Sequence, residues 1–344
     1  MRAKRSGWLA GIGIACSLMV TAAAESQTRS GSDRPGSILM FPKVVRSGTR
    51  DTIIQITNTG NSLNNVHCFY LEGPQSSAPN ATCQAVDFEL LLTRQQPTQW
   101  RVSSGRRVDP TDAFADPQAG FDPGLIPPLP SGFEGALVCV EVDSNGDPLG
   151  QNRLKGEATI LDANGNDVSK YNGFALAKSG GNNDADLALN GTEYETCPAT
   201  LYLNFSPRGS LDPVIEALGN ANLNSFIGTN LTLLPCDLDF RNGVRTNGTV
   251  SFLVRDEFES PFSGSFPFQC WTSIDLGTGG LSQFRSTLLT GGAIGTIFAQ
   301  ATLSPTRPVI GVAESFHQDQ AGVTAAAATN LHTTGSAAAT IRLP

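Results

Sequence analysis

The chain has 344 residues, of which 40% are hydrophobic and 16% charged, so it holds enough apolar material for a buried core and too little charge for an intrinsically disordered protein. The 36 glycines and 21 prolines favour many turns and argue against a helical bundle. The formal net charge of -8 argues against nucleic acid as a partner.

The first 24 residues have the three-part pattern of a secretory signal peptide. Basic residues at the start precede the apolar run Trp8–Val20, which is too short to cross a bilayer as a helix. Small residues follow at Ala22–Ala24, and we predict cleavage after Ala24 and a secreted or periplasmic mature chain. We expect no membrane span in the mature chain. An N-terminal membrane anchor and a lipoprotein attached through Cys16 are the alternatives.

Alternating apolar residues in the rest of the chain predict strands of antiparallel sheets. The alternation is clearest in Val138–Val142, Leu201–Phe205 and Val250–Val254. One short helix is predicted over 213–218, with Asp212 as its N-cap. Asn-Gly dipeptides between the strands fit hairpin turns, because both residues accept positive φ. These dipeptides lie at 145–146, 164–165, 172–173, 190–191, 242–243 and 247–248.

Strands joined by short polar turns predict an all-β fold, which we interpret as one or two immunoglobulin-like antiparallel β-sandwiches with one short helix. The Gly- and Asn-rich stretch 180–190 predicts a boundary between them. A single interleaved sandwich is the alternative. The predicted organisation is therefore a signal peptide, a flexible N-terminal segment, a first sandwich domain, a linker and a second sandwich domain, at 1–24, 25–36, 37–180, 181–191 and 192–344.

Six cysteines follow the signal segment, an even number that is typical of a disulfide framework in an exported chain. None of them forms a C-x-x-C pair, which disfavours a redox motif and a zinc ribbon. Six cysteines allow many pairings, and the sequence does not choose among them. Pairing neighbours in order is the simplest assumption, and it gives Cys68–Cys83, Cys139–Cys197 and Cys236–Cys270.

Part of the chain resembles a known group of proteins. Asp51–Gly60, followed by Val66–Tyr70, resembles the opening of immunoglobulin-like domains in exported bacterial proteins, and Phe88–Thr93 is similar to a later strand of that group. The element Ile38–Val45 is similar to the start of uncharacterised secreted bacterial proteins with such domains. The resemblance covers residues 37–180. It implies an immunoglobulin-like fold and an exported setting, and it transfers no activity.

Two acidic turns are candidate calcium sites, because each places oxygen-bearing side chains at nearly alternate positions and calcium is bound by oxygen ligands. The alternative is a hairpin tip with solubilising acids. No cofactor other than this calcium is predicted. The candidate ligands are Asp143, Asn145 and Asp147 in the first turn, and Asp162, Asn164 and Asp167 in the second.

Two carboxylate pairs, Asp237 with Asp239 and Glu193 with Glu195, share a strand face and could serve a glycan hydrolase, which needs two carboxyl groups across a cleft. No nucleophile elbow, phosphate-binding loop or zincin motif is present in the sequence.

We expect an exported, non-catalytic structural or adhesion-type protein that binds an unknown protein or glycan through its loops or a sheet face. The first alternative is a carbohydrate- or calcium-binding module, and the second is the glycan hydrolase. Trp100 and Trp271 are the candidates for stacking on sugars, although packing in the core is the interpretation we favour for both.

Overall fold

The structure is a computed structural model, and within its described residues it contains strands and no α-helix. No helix in this part of the chain is long and apolar enough to cross a membrane. The predicted signal peptide and the predicted helix at 213–218 with its N-cap Asp212 lie outside the described residues. These residues are 31–78, 83–95, 97–106, 125–162, 168–207, 210–211, 226–277, 284, 298–319 and 322–344.

The strands are numbered in chain order. The first eleven are β1 (Ile38–Arg46), β2 (Arg50–Asn58), β3 (Asn64–Glu72), β4 (Ala85–Leu92), β5 (Pro97–Arg101), β6 (Phe133–Val142), β7 (Leu154–Asp162), β8 (Val168–Asn172), β9 (Phe174–Leu176), β10 (Asp186–Leu189) and β11 (Thr200–Phe205). The others are β12 (Ser210–Leu211), β13 (Phe226–Pro235), β14 (Leu238–Asp239), β15 (Asn247–Asp256), β16 (Pro261–Gln269), β17 (Thr272–Asp275), β18 (Ala299–Pro305), β19 (Val309–Asp319), β20 (Gly322–Asn330), β21 (His332–Thr334) and β22 (Ala339–Arg342).

These strands form five small sheets, arranged as the five blades of a β-propeller. The sheets have the strand orders β4-β3-β6-β1-β9, β5-β2-β7-β8, β10-β22-β14, β16-β15-β18-β11-β21 and β12-β13-β19-β20, and β17 also pairs with β13. The all-β prediction is confirmed, and the prediction of one or two immunoglobulin-like sandwiches is wrong. Alternation and turn residues identify strands, but they do not tell which strands pair, and the same pattern serves sandwiches, barrels and propellers.

The predicted alternation is confirmed in β11 and β15, where every second side chain is buried. In β6, by contrast, Val138–Val142 is buried on both faces of the sheet. Among the Asn-Gly dipeptides, Gly146, Gly191 and Gly243 have the positive φ of a turn. The pair 247–248 lies inside β15 instead, and 164–165 lies outside the described residues.

Two hydrophobic clusters form the core of the described structure. The larger cluster joins distant parts of the chain, since it contains Ile38 of β1, Leu187 and Leu189 of β10, and Ile341 of β22. The predicted linker 181–191 therefore contributes a paired strand whose apolar side chains are buried. The division into 37–180 and 192–344 stays a prediction.

All six predicted disulfide cysteines are paired, but the pairing of neighbours in order is wrong. The bonds are Cys68–Cys139, Cys83–Cys270 and Cys197–Cys236. Cys68 and Cys139 stand directly opposite each other on β3 and β6, so strand register decides that pair. Cys83–Cys270 spans 187 residues and joins the two predicted domains.

Candidate functional site

A break in the hydrogen-bond ladder between β1 and β6 lies at Lys43, whose side chain is buried in the interior. The register of the two strands shifts between Phe41 and Val44, where Pro42 has no N–H to donate. The backbone of Lys43 bonds instead to the Tyr171 hydroxyl, donating its N–H over 2.9 Å and accepting the hydroxyl proton over 2.6 Å. Burial raises the pKa of Tyr171, so this hydroxyl remains protonated and can donate. Only 3% of the Lys43 side chain is exposed.

The buried ammonium of Lys43 faces a buried carboxylate from β19. Lys43 Nζ lies 2.7 Å from Glu314 Oε2, and the Glu314 side chain is also only 3% exposed. The Arg50 guanidinium contacts Oε1 of the same carboxylate, and Ser169 Oγ donates to Oε1 over 2.7 Å. Four strands, β1, β2, β8 and β19, therefore meet at one carboxylate.

The same lysine contacts a carboxamide on β13. Lys43 Nζ donates to Asn230 Oδ1 over 2.6 Å. The hydroxyls of Thr232 and Ser273 also donate to Oδ1, over 3.2 and 3.0 Å. Asn230 Nδ2 donates to Asp275 Oδ1 over 2.9 Å. The carboxamide is thus bonded at both ends, and its carbonyl oxygen is surrounded by donors.

Strand register places these groups. Asn230 stands directly opposite Glu314 on one side and directly opposite Asp275 on the other, because β13 runs between β19 and β17. Side chains at such directly opposed positions lie within about 5.5 Å of each other at Cβ. We call Lys43, Arg50, Asn230, Asp275 and Glu314 the Lys43 cluster.

Opposing effects act on the carboxyl groups around the Lys43 cluster. Burial alone would raise the pKa of Glu314, but the positive charges of Lys43 and Arg50 outweigh it and lower the pKa to about 2. Burial raises the pKa of nearby Glu134, which feels the same two cations and the negative charges of Asp275 and Glu314. Glu314 is therefore ionised at neutral pH, as the paired partner of Lys43 and Arg50.

Trp271 packs beside the Lys43 cluster. Its ring is fully buried, and its Nε1 donates to the carbonyl oxygen of Pro42 over 2.6 Å, which fixes the backbone next to Lys43. The ring also fills the space where a Cβ on Gly73 would lie. Trp100 is buried as well and donates from Nε1 to the Tyr70 hydroxyl over 2.6 Å. The prediction that both tryptophans pack in the core is confirmed.

The first predicted calcium turn is an exposed loop between β6 and β7. Asp143 Oδ1 accepts the backbone N–H groups of Asn145 and Asp147 over 2.7 and 3.0 Å, so this carboxylate holds the turn. In the second turn Asp162 ends β7, while Asn164 and Asp167 lie outside the described residues. No group of three or more His, Cys, Asp or Glu in the described part of the chain is placed to hold a metal. Calcium binding stays a prediction.

The two predicted carboxylate pairs hold the structure around them. Glu195 pairs with Arg34 and accepts a backbone N–H over 2.9 Å. Burial raises the pKa of both Glu193 and Glu195. Asp237 and Asp239 accept backbone N–H groups over 2.9 and 2.8 Å. Each of these bonds assigns the carboxylate a structural role.

Sequence reasoning missed the Lys43 cluster, although two signals were present. Lys43 is the only charged residue in the apolar run Ile38–Val45, and it follows a proline, which marks a bulge or an edge in a strand. Glu314 is likewise the only charged residue in the run Val309–Phe316. Charged residues are rarely buried unless they are paired. The signals alone do not identify the partner of either residue.

Comparisons with known proteins give no family. No protein-family model and no curated protein matches the chain. Among solved structures, the one titled "Crystal Structure of Thermotoga maritima 1070" is 11% identical and covers 43% of this chain and 98% of its own, with a TM-score of 0.26. The C-terminal domain of the Streptococcus pyogenes antigen I/II-family protein AspA is 6% identical and covers 91% and 100%, with a TM-score of 0.15. The CupB6 tip adhesin from Pseudomonas aeruginosa is 7% identical and covers 87% and 90%, also with a TM-score of 0.15. Scores this low carry no argument about fold or function.

Proposed function

We propose that this chain is an exported, non-catalytic structural or adhesion-type protein that binds a protein or a glycan outside the cytoplasm. The observation that carries the proposal is the set of three disulfides, because such bonds persist in oxidising compartments and are rare in the cytosol. Export through the predicted signal peptide, with cleavage after Ala24, agrees with these bonds.

The way in which the chain is held together also supports a scaffold role. Cys83–Cys270 and the Lys43 cluster both connect the first 180 residues to the part of the chain after residue 225. A frame that is tied in this way positions surface loops firmly, and binding residues are found disproportionately on loops carried by a rigid scaffold.

The surface that we assign to binding lies beside the turn between β15 and β16. Phe258 in this turn is 70% exposed, and an open groove next to it is lined by Arg255, Glu259 and Phe298. Phe298 is itself 57% exposed. Exposed aromatic side chains at or beside a groove with charged lining residues are typical of an interaction site.

The proposal is tested by expressing the chain with and without residues 2–24 in a bacterial host. We expect the full chain in the exported fraction, shortened to begin at Glu25, with its six remaining cysteines protected from alkylation until a reductant is added. The gene that lacks residues 2–24 should give protein that stays in the cytoplasm and has reactive thiols. Full-length protein in the cytoplasm with all seven cysteines alkylated would contradict export.

The exported protein is then offered to a glycan array and to beads coated with the protein itself. We expect binding or bead clustering without release of sugars, weakened by Phe258→Ser and retained by Leu63→Ser, which changes an exposed apolar residue at a different turn. Release of sugars that Glu195→Gln or Asp237→Asn abolishes would support the hydrolase instead. Glycan binding that is lost on chelation would support the calcium-binding module.

A further inference from the structure

We propose that the Lys43 cluster modifies itself, and that the side chains of Lys43 and Asn230 become joined by an amide bond between Nζ and Cγ. This modification would turn a buried ion cluster into a permanent covalent link between β1 and β13. It concerns the chemistry of the interior and stands independently of export and of any binding partner.

The geometry supplies each group that the bond needs. The amine is in place, because Lys43 Nζ lies 2.6 Å from Asn230 Oδ1. The hydroxyls of Thr232 and Ser273 lie within hydrogen-bond distance of that carbonyl oxygen. By donating to it they draw electrons away from Cγ and stabilise the negative charge that forms on the oxygen during attack. Asp275 accepts a bond from Nδ2, the nitrogen that leaves.

Glu314 is placed to move the proton. Its Oε2 lies 2.7 Å from Nζ, so it can take a proton from the ammonium and leave an amine with a free electron pair. Arg50 and Ser169 hold the other carboxylate oxygen and fix its position. Arg50 also makes Glu314 a weak base, which slows the proton transfer. A slow reaction is sufficient, because it has to occur only once in the life of each molecule.

The step balances without any further reactant. Nζ loses protons and attacks Cγ, the Cγ–Nδ2 bond breaks, and the departing nitrogen takes up the protons that Nζ gave to Glu314. A lysine ammonium and a carboxamide enter the reaction, and an amide and an ammonium ion leave it. Lys43, Thr232 and Glu314 are buried while Asn230 itself is half-buried, so the amine competes with water for Cγ through its position beside the carboxamide.

The test is the intact mass of the full chain after complete reduction and alkylation. We expect the wild-type protein to be lighter by one ammonia than the mass calculated for the mature sequence with all of its cysteines alkylated. A protease digest should contain a branched peptide that joins Lys43 to Asn230. Lys43→Arg keeps the positive charge and should restore the full mass, as should Asn230→Ala. Glu314→Gln should slow the bond by about a hundredfold or more, because the side chain can no longer accept the proton.

One side reaction has to be separated, since Asn-Gly sequences also lose ammonia when they form succinimides. Mild alkali opens a succinimide by adding a water, which gives aspartate or isoaspartate and removes the mass deficit, whereas the proposed amide bond survives. Succinimides would also persist in Lys43→Arg. Wild-type protein at its full sequence mass, with unmodified peptides for both Lys43 and Asn230, would overturn the proposal.

Discussion

At Glu314, one buried carboxylate balances two cations, the buried Lys43 and the partly exposed Arg50. The pKa shift from 4.5 to about 2 corresponds to about 3 kcal/mol in favour of the ionised form in the folded state. Buried ion pairs are nevertheless weak sources of net stability, because apolar side chains of similar volume often perform as well or better. Stability alone therefore gives little reason for burying Lys43 and Glu314 together. The proposed formation of an amide bond, by contrast, requires both an amine and a carboxylate that accepts its proton.

The pH dependence of stability tests this pair at the scale of single residues. Because folding lowers the pKa of Glu314, its stabilising effect is complete above about pH 4.5 and is lost as the pH falls toward 2. We expect Glu314→Gln to reduce the free energy of unfolding by about 3 kcal/mol at neutral pH, and the difference to shrink over that acidic range.

The protein with Glu314→Gln is compared with one that keeps Glu314. Both carry Asn230→Ala, so that Lys43 stays a free amine. Urea titrations at a series of pH values give the free energies of unfolding. The matched control is Glu157→Gln, which removes a partly exposed pair with Lys170 and should change stability by less than about 1 kcal/mol. A difference for Glu314→Gln that is the same at every pH would argue against an ionised, paired Glu314.

At the scale of the elements, a buried glutamate in β6 holds the start of β7. The Glu141 carboxylate accepts the backbone N–H groups of Gln151, Asn152 and Arg153 over 2.9, 3.0 and 2.7 Å, and Asn64 Nδ2 over 3.0 Å. Asn152 adopts a φ of 55°, in the left-handed region that asparagine accepts more readily than most residues. One side chain of β6 thus holds the segment that leads into β7.

Glu141→Gln replaces a carboxylate oxygen with a donor that faces backbone donors. We expect the free energy of unfolding to fall by about 2 kcal/mol, because at least one buried N–H loses its acceptor. The backbone amides of residues 151–153 should exchange with deuterium faster, while the amide of Asn145 in the neighbouring turn should not change. Glu89→Gln, at an exposed position in β4, is the control, and equal exchange rates in both variants would contradict the assignment.

The strands could be predicted from sequence better than their arrangement. Alternation located β11 and β15 because each has one buried and one exposed face, and it located β6 although both faces are covered. The pairing of the strands could not be predicted from local sequence patterns, since β1 pairs with β6 and β9, which lie far along the chain. The Lys43 cluster could not be predicted for the same reason. Lys43, Asn230 and Glu314 come together only because the distant strands β1, β13 and β19 lie next to one another.

At the scale of the whole molecule, the links between the two parts of the chain can be separated by one cut. A protease site placed at the exposed residues 182–184 divides the chain so that Cys83–Cys270 crosses the cut, while Cys68–Cys139 and Cys197–Cys236 each lie within one fragment. In the Asn230→Ala protein we expect the cut fragments to stay together on a denaturing gel without reductant and to separate with it.

Removing Cys83 and Cys270 from that same protein should separate the fragments on both gels. Fragments that remained joined without these two cysteines would show a different pairing, such as Cys139–Cys197. With Asn230 present, the proposed amide bond adds a second link, and the fragments should then stay together even under reduction.

The 187-residue span of Cys83–Cys270 also sets the order of events during synthesis. Cys83 emerges long before its partner exists, while Cys68, close to it in the chain, is available at once, and short loops close sooner than long ones. Early oxidation therefore favours an incorrect local pair that must later be undone by attack of another thiolate. The yield of correctly bonded protein is accordingly limited by how fast thiols can reshuffle, so a host rich in disulfide isomerase should produce more of it than one that only oxidises.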